Sequence, residues 1–356
     1  MSKQSHSMVI NAVLILGTLM IVVALTVRSG EIVPAWKALR SADIRWLGAA
    51  AGCFFLYAAL EGLLLHVFFL QQKIKVKLTA SLLAGLTGMF YSAVTPSATG
   101  GQPMQVFSLK KHNVPVGIST SALAVKFFNW QCALLLLGAG MWLTYPGVVS
   151  VNVDRIVWIV LTGFIVNSLA VIGVLLLAVN RNIVRVLIVL VLRAGHWLRI
   201  VKDLERATSR ADAALHDFHA SVDMLRHHPF RMLALLMLSF IQVAAMMSII
   251  YCVYCSFRLE GSTWGELVTL QLILYIAASM TPLPGGSGAQ EGGFYLFFQQ
   301  AFPAGTLVGA LLLWRFMTYY LSIIVGFAGV LLDSASLFRH SRDEGTDTPT
   351  RPEEDG

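Results

Sequence analysis

Thr281-Pro282-Leu283-Pro284-Gly285-Gly286-Ser287-Gly288 closes the apolar segment 266–280, and Thr95-Pro96-Ser97-Ala98-Thr99-Gly100-Gly101-Gln102-Pro103 closes the apolar segment 78–94. Proline removes a backbone donor and glycine leaves the chain conformationally free, so both stretches break a helix. They do so in a chain too apolar for water. Its 356 residues are 56% hydrophobic and 13% charged, with a mean hydropathy of +0.71; a soluble domain carries roughly 25% charged residues. The apolar runs are continuous and near the ~20 residues a helix needs to cross hydrocarbon, which favours helical spans over a β-barrel. At membrane depth a broken helix survives only when buried in protein or lining a polar cavity. The two stretches therefore predict re-entrant or broken-helix hairpins.

Working outward, full-length spans are expected at 8–27, 44–70, 117–145, 156–179, 232–257 and 306–332. The fold class is an all-α polytopic membrane protein with about six full spans and two hairpins. The first run is longer than a signal-peptide core and lacks a small-x-small cleavage site before Arg28, so it reads as an uncleaved span. Residues 1–338 form the membrane domain. Within them, Trp197, Leu204, Ala211, Phe218 and Leu225 recur every seven residues and predict an amphipathic helix over about 196–227. It either packs on its own protein or lies on anionic lipid. Residues 339–356 are Asp, Glu, Thr, Pro and Gly-rich and are expected to be disordered.

Charge placement orients the chain. With both hairpins returning to their side of entry and the N-terminus in the cytoplasm, 18 of the 26 Lys and Arg lie inside, six outside and two within spans. The positive-inside rule thus puts both termini in the cytoplasm of a cytoplasmic (inner) membrane. The net charge of +7 resides in these loops and forms no basic domain, which argues against nucleic acid. Cys53, Cys132, Cys252 and Cys255 all sit in apolar runs and read as packing residues. No phosphate loop, nucleophile elbow or zinc-ligand spacing is present, and no cofactor is expected.

The halves 44–145 and 229–332 resemble each other. Thr95-Pro96 matches Thr281-Pro282 and Gly100-Gly101 matches Gly285-Gly286 with one gap; each break is followed by a span with one cation, Lys126 or Arg315. With the first hairpin entering from the cytoplasm and the second from outside, this is an inverted repeat, an arrangement that in transporters puts the substrate site at the repeat interface.

The string Pro282-Leu283-Pro284-Gly285-Gly286-Ser287-Gly288-Ala289-Gln290-Glu291, with the earlier Pro96 to Pro103 stretch and Arg315, resembles the signature of the lysylphosphatidylglycerol synthase transmembrane-region family of flippase-like proteins, over about 44–332. The resemblance implies a lipid-translocating fold. The chain departs from the family pattern at Lys126, where Arg is expected, and at Gln102, where an acidic residue is common; no aminoacyl-transferase domain follows Leu332.

Charges within spans are costly and face a partner or a polar interior. Glu291 begins the segment after the second break, where a helix N-terminus favours an anion; the amides of Gly285, Gly286 and Gly288 would instead suit a lipid phosphate. Arg315 could neutralise either, and its planar fork matches phosphate. Lys126 would serve the opposite half, with Gly100, Gly101 and Gln102 as its break; Asn129, Trp130 and Gln131 would add polar lining. Glu61 and His66 lie five apart on different faces, which disfavours a relay between them. The leading expectation is a flippase-like transporter of an anionic phospholipid or polyprenyl-linked lipid, free or as a homo-oligomer, and not an enzyme. The alternatives are a membrane-embedded enzyme or accessory subunit of a lipid-modification pathway, which predicts acid/base groups at one membrane face, and a scaffold acting through the basic amphipathic helix.

Overall fold

The computed structural model describes residues 32–149, 153–197, 203–279, 281–303 and 305–344, and among these every regular element is a helix. A short helix α1 (Ile32–Ser41) leads into α2 (Ile44–Gln71), whose N-terminus is capped by the Asp43 carboxylate accepting from the Arg45 amide at 2.9 Å. The first hairpin is α3 (Leu78–Val94), a single 3-10 turn (Pro96–Ala98) and α4 (Gly101–Lys111), followed by the long α5 (Val116–Thr144). Three connecting helices follow: α6 (Val153–Val179), α7 (Arg181–Trp197) and α8 (Leu204–Arg226). The order long, short, break, short, long then recurs: α9 (Pro229–Ser256), α10 (Trp264–Ala278), a 3-10 turn (Pro284–Gly286), α11 (Ala289–Phe298), and α12 (Leu307–Arg315) running through a π-helical turn (Phe316–Tyr320) into α13 (Leu321–Glu344).

Among the described residues four helices are long and apolar enough to cross a membrane, Ile44–Gln71, Val116–Thr144, Pro229–Ser256 and Leu307–Ala335. Val160–Leu176 and Arg181–Leu190, bent by 96° against each other, raise the number to five if the pair counts as one span. Of the six expected spans, the one at 8–27 lies outside the described residues.

The two halves are interleaved. Their first long helices, α2 and α9, pack together around Phe54, Ile250 and Val253, and the same core takes in Phe294, Phe298 and Trp314 from the second half. Phe294 stacks on Trp314 with centroids 5.1 Å apart. Each hairpin's first limb also packs on the closing span of the other half, α3 on α13 and α10 on α5. In lipid, helices associate by close packing rather than by a hydrophobic drive, so small residues mark the contacts. A Cβ on Gly85 would sit 2.7 Å from the Gly62 amide nitrogen, and one on Gly326 would sit 2.8 Å from that of Phe90.

The amphipathic helix expected over about 196–227 is described as α8 from Leu204, and residues 198–202 lie outside the described residues. The seven-residue repeat carried its start back to 196, but Trp197 is the last described residue of α7. Helix α8 packs on its own protein: Gly117 of α5 lies against the Ala214 carbonyl, Gln72 Nε2 donates to Ser221 O at 3.0 Å, and Asp212 and Asp223 pair with Arg185 and Arg181 of α7. At the C-terminus α13 continues to Glu344, so the segment expected to be disordered from 339 opens with helix. Helix propagation needs only one further bond per residue, and the established span supplies the nucleus. Residues 345–356 lie outside the described residues.

Candidate functional site

The two breaks touch each other, and the second also touches the end of α3. The turns at their centres have like backbones. Ser97 and Ala98 have φ of 49° and 55°, and Gly285 and Gly286 have φ of 60° and 61°. Each pair sits in a 3-10 turn opened by a proline, Pro96 or Pro284. Pro96 therefore corresponds to Pro284, Ser97 to Gly285 and Ala98 to Gly286; beyond the turns the backbones part, with φ −79° at Gly100 and 86° at Gly288. This corrects the pairing of Gly100-Gly101 with Gly285-Gly286: residue identity drew the glycine pairs together, whereas the left-handed backbone that glycine tolerates best is occupied in the first half by Ser97 and Ala98.

The first break is closed by Thr95, whose hydroxyl donates to Tyr91 O at 2.5 Å and accepts from the Gly100 amide at 2.9 Å. The amides of Ala98 and Thr99 turn back to Thr95 O and Pro96 O. Gly101 is buried against Ser92, and Gln102 is exposed. In the second break the Gly286 amide donates to Leu283 O at 3.0 Å and the Gly288 amide to Glu291 Oε2 at 2.6 Å. Several of the backbone donors assigned to a phosphate are thus used within the breaks.

Arg315 closes the second break from the following helix. Its Nε donates to Glu291 Oε1 at 2.7 Å, Nη2 lies 2.6 Å from the same oxygen, and Nη1 donates to Gly285 O at 3.1 Å. Its guanidinium also lies 5.2 Å from the Tyr319 ring centroid and 5.5 Å from that of Trp314. Tyr319 lies in the π-helical turn, covers Gly285 so closely that no Cβ fits there, and donates its hydroxyl to Ala93 O at the end of α3 at 3.1 Å. One side chain thereby joins the second break to the last turn of α3, just before the first. π-helical turns recur at functional sites because the extra residue re-aims the side chains that follow.

The first half holds its cation differently. Lys126 of α5 pairs with Glu61 of α2 and donates to Gln105 Oε1 of α4 at 3.3 Å. One turn along the same two helices, Tyr57 meets Trp130 with centroids 5.9 Å apart, and Trp130 meets Tyr275 of α10 at 6.3 Å. Gln131 donates to Asn167 Oδ1, and Asn167 donates to Ser279 at the end of α10, both at 2.8 Å. Asn129 is buried with neither amide atom partnered. The sequence reading set Glu61 aside and did not single out Gln105. A carboxylate in the span preceding the hairpin was the available signal, since a buried cation needs a counter-charge and Glu61 is the acid within that span.

Span-length apolar helices and two apposed helix breaks, the second clamped by an ion pair, are the features of a multi-pass membrane protein. The family model described as Lysylphosphatidylglycerol synthase TM region matches residues 9–326, and the chain belongs to that family. It is thus a multi-pass membrane protein of the lipid-modification and flippase type. No curated protein matches it.

Proposed function

We propose that the protein moves a phosphate-bearing lipid head group, of an anionic phospholipid or a polyprenyl-linked lipid, between the leaflets of the inner membrane. Both termini face the cytoplasm, the halves are related as an inverted repeat, and transport proceeds by rocking one half against the other rather than by chemical conversion of the lipid. The observation that carries this reading is the meeting of the two broken helices, each accompanied by a buried cation with a carboxylate partner. An enzyme of lipid modification would gather its acid and base groups at one face; here one charge pair fastens the second break and the other joins the helices that flank the first hairpin. The interleaving of halves, with each hairpin held by the other half's closing span, supports a motion in which hairpins and spans exchange contacts.

The test is head-group translocation of fluorescent phosphatidylglycerol and of a polyprenyl phosphate in proteoliposomes. Wild-type protein is expected to accelerate movement over protein-free vesicles, with Glu291→Gln and Arg315→Ala impaired. Folded wild-type protein that moves none of these lipids would remove the transport reading.

A further inference from the structure

The two buried cations are built for different tasks, and the difference deepens the flippase reading on which it rests. Arg315 is committed: its contacts include the backbone carbonyl of Gly285, its carboxylate partner caps the Gly288 amide, and the guanidinium side chain is 7% exposed. Releasing it would unfasten the second hairpin. Lys126 is held by side chains alone, Glu61 and Gln105, and the Lys126 and Glu61 side chains are 13% and 15% exposed. An ammonium is a point charge with three rotatable donors, so it can exchange one anionic partner for another without a fixed fork geometry.

Beside it lies an unsatisfied donor. Asn129, one turn from Lys126 on α5, is 1% exposed and has neither its amide nitrogen nor its oxygen bonded. A closed seam between α2, α5 and α9, with no room for a water molecule in this conformation, has Lys126 and Asn129 as its polar lining and leucine, phenylalanine, alanine and valine as the rest, so a phosphate would enter it only as these helices part. Native proteins rarely leave a buried amide wholly unpaired, and this one has donor capacity open to an incoming anion beside the ammonium.

We propose that Lys126 is the group that receives the phosphate of the transported molecule, with Asn129 Nδ2 as a second donor and Glu61 as the built-in anion that the phosphate displaces. Arg315 and Glu291 then form a fixed clamp with no substrate contact. No bond is made or broken; one anion replaces another on the ammonium.

The experiment is binding of dihexanoyl phosphatidylglycerol, and separately of inorganic phosphate, to detergent-purified full-length protein by calorimetry. Glu61→Gln, which removes the competing anion, is expected to tighten the lipid about tenfold. Lys126→Gln is expected to abolish binding, and Asn129→Leu to weaken it several-fold. The double variant Glu61→Gln/Lys126→Gln carries no unpaired charge, so it serves as the folded control and should not bind. Lipid bound at least tenfold tighter than phosphate assigns the site to a lipid head group; equal affinities would assign it to the free anion and overturn the lipid assignment. Wild-type affinity in Lys126→Gln, or unchanged affinity in Glu61→Gln, would overturn the proposal. If wild type translocates lipid while Lys126→Gln still binds and moves it, this assignment fails and the flippase reading stands. If binding depends on Lys126 but no lipid crosses, the assignment stands and the transport reading fails.

Discussion

Replacing Arg315 by Met tests whether the second break is held by its clamp. The substitution keeps length and apolar bulk but removes every donor to Glu291 and Gly285. Breaking a buried pair by removing one partner costs about 3–5 kcal/mol, because the other charge is left uncompensated. Glu291 retains the Gly288 amide and its side chain is 16% exposed, so the lower end, about 3 kcal/mol, is expected. Glu291→Gln strands the guanidinium and should cost a similar amount, about 3 kcal/mol. The double variant Glu291→Gln/Arg315→Met strands no charge; it loses the bond to the Gly285 carbonyl and should cost only about 1–2 kcal/mol. The two single effects therefore exceed the double by about 4–5 kcal/mol, far outside the ~0.5 kcal/mol scatter of independent sites. Equilibrium unfolding in mixed SDS micelles, followed by circular dichroism, measures all four corners of the cycle. Additive effects, or an Arg315→Met variant within about 0.5 kcal/mol of wild type, would refute the clamp.

Three further outcomes follow from the same geometry. Gly285→Ala should destabilise by about 2–5 kcal/mol, combining a left-handed alanine with a collision against the Tyr319 ring, whereas Ala98→Gly, at the corresponding class of backbone, should stay within about 1 kcal/mol of wild type; the same unfolding titration checks both. Tyr319→Phe keeps the cover over Gly285 and deletes the hydroxyl bond to Ala93 O, so it should cost about 1 kcal/mol and loosen the contact between breaks, seen as faster backbone amide exchange around 93–98. Asp333 is buried and accepts from Ser108 Oγ at 3.0 Å and pairs with His112 Nε2 at 2.8 Å, tying the first hairpin's exit to α13. Asp333→Ala should cost about 2–3 kcal/mol and expose a cysteine placed at position 108 to a membrane-impermeant maleimide; protection equal to wild type would count against that tie.

Span-length apolar runs, the two breaks and their place in each half could be read directly from residues, because the bilayer permits few backbones and proline with glycine interrupts them. Helices α2, α5 and α9 fall within a few residues of their expected bounds for that reason. The pairing of Glu291 with Arg315 was also open to inspection as one of two readings, since a lone buried charge in lipid is scarcely tolerated. The register between the two breaks was not. Ser97 and Ala98 adopt left-handed backbone that their identities do not announce, and only the folded chain around Thr95 over-determines it.

What the sequence determined by itself is local: where helices run, where they must stop, and which charges lie too deep to be left alone. Tertiary structure decided the long-range partners. Glu61 meets Lys126 across 65 residues and Tyr319 meets Ala93 across 226. Such contacts depend on which helices lie side by side, and helix order is set by glycine-mediated packing spread over many residues rather than by any pattern within one segment. The π-helical turn that aims Tyr319 at the second break and the last turn of α3 belongs to the same class, because an extra residue in a helix leaves hydropathy unchanged while rotating every side chain beyond it.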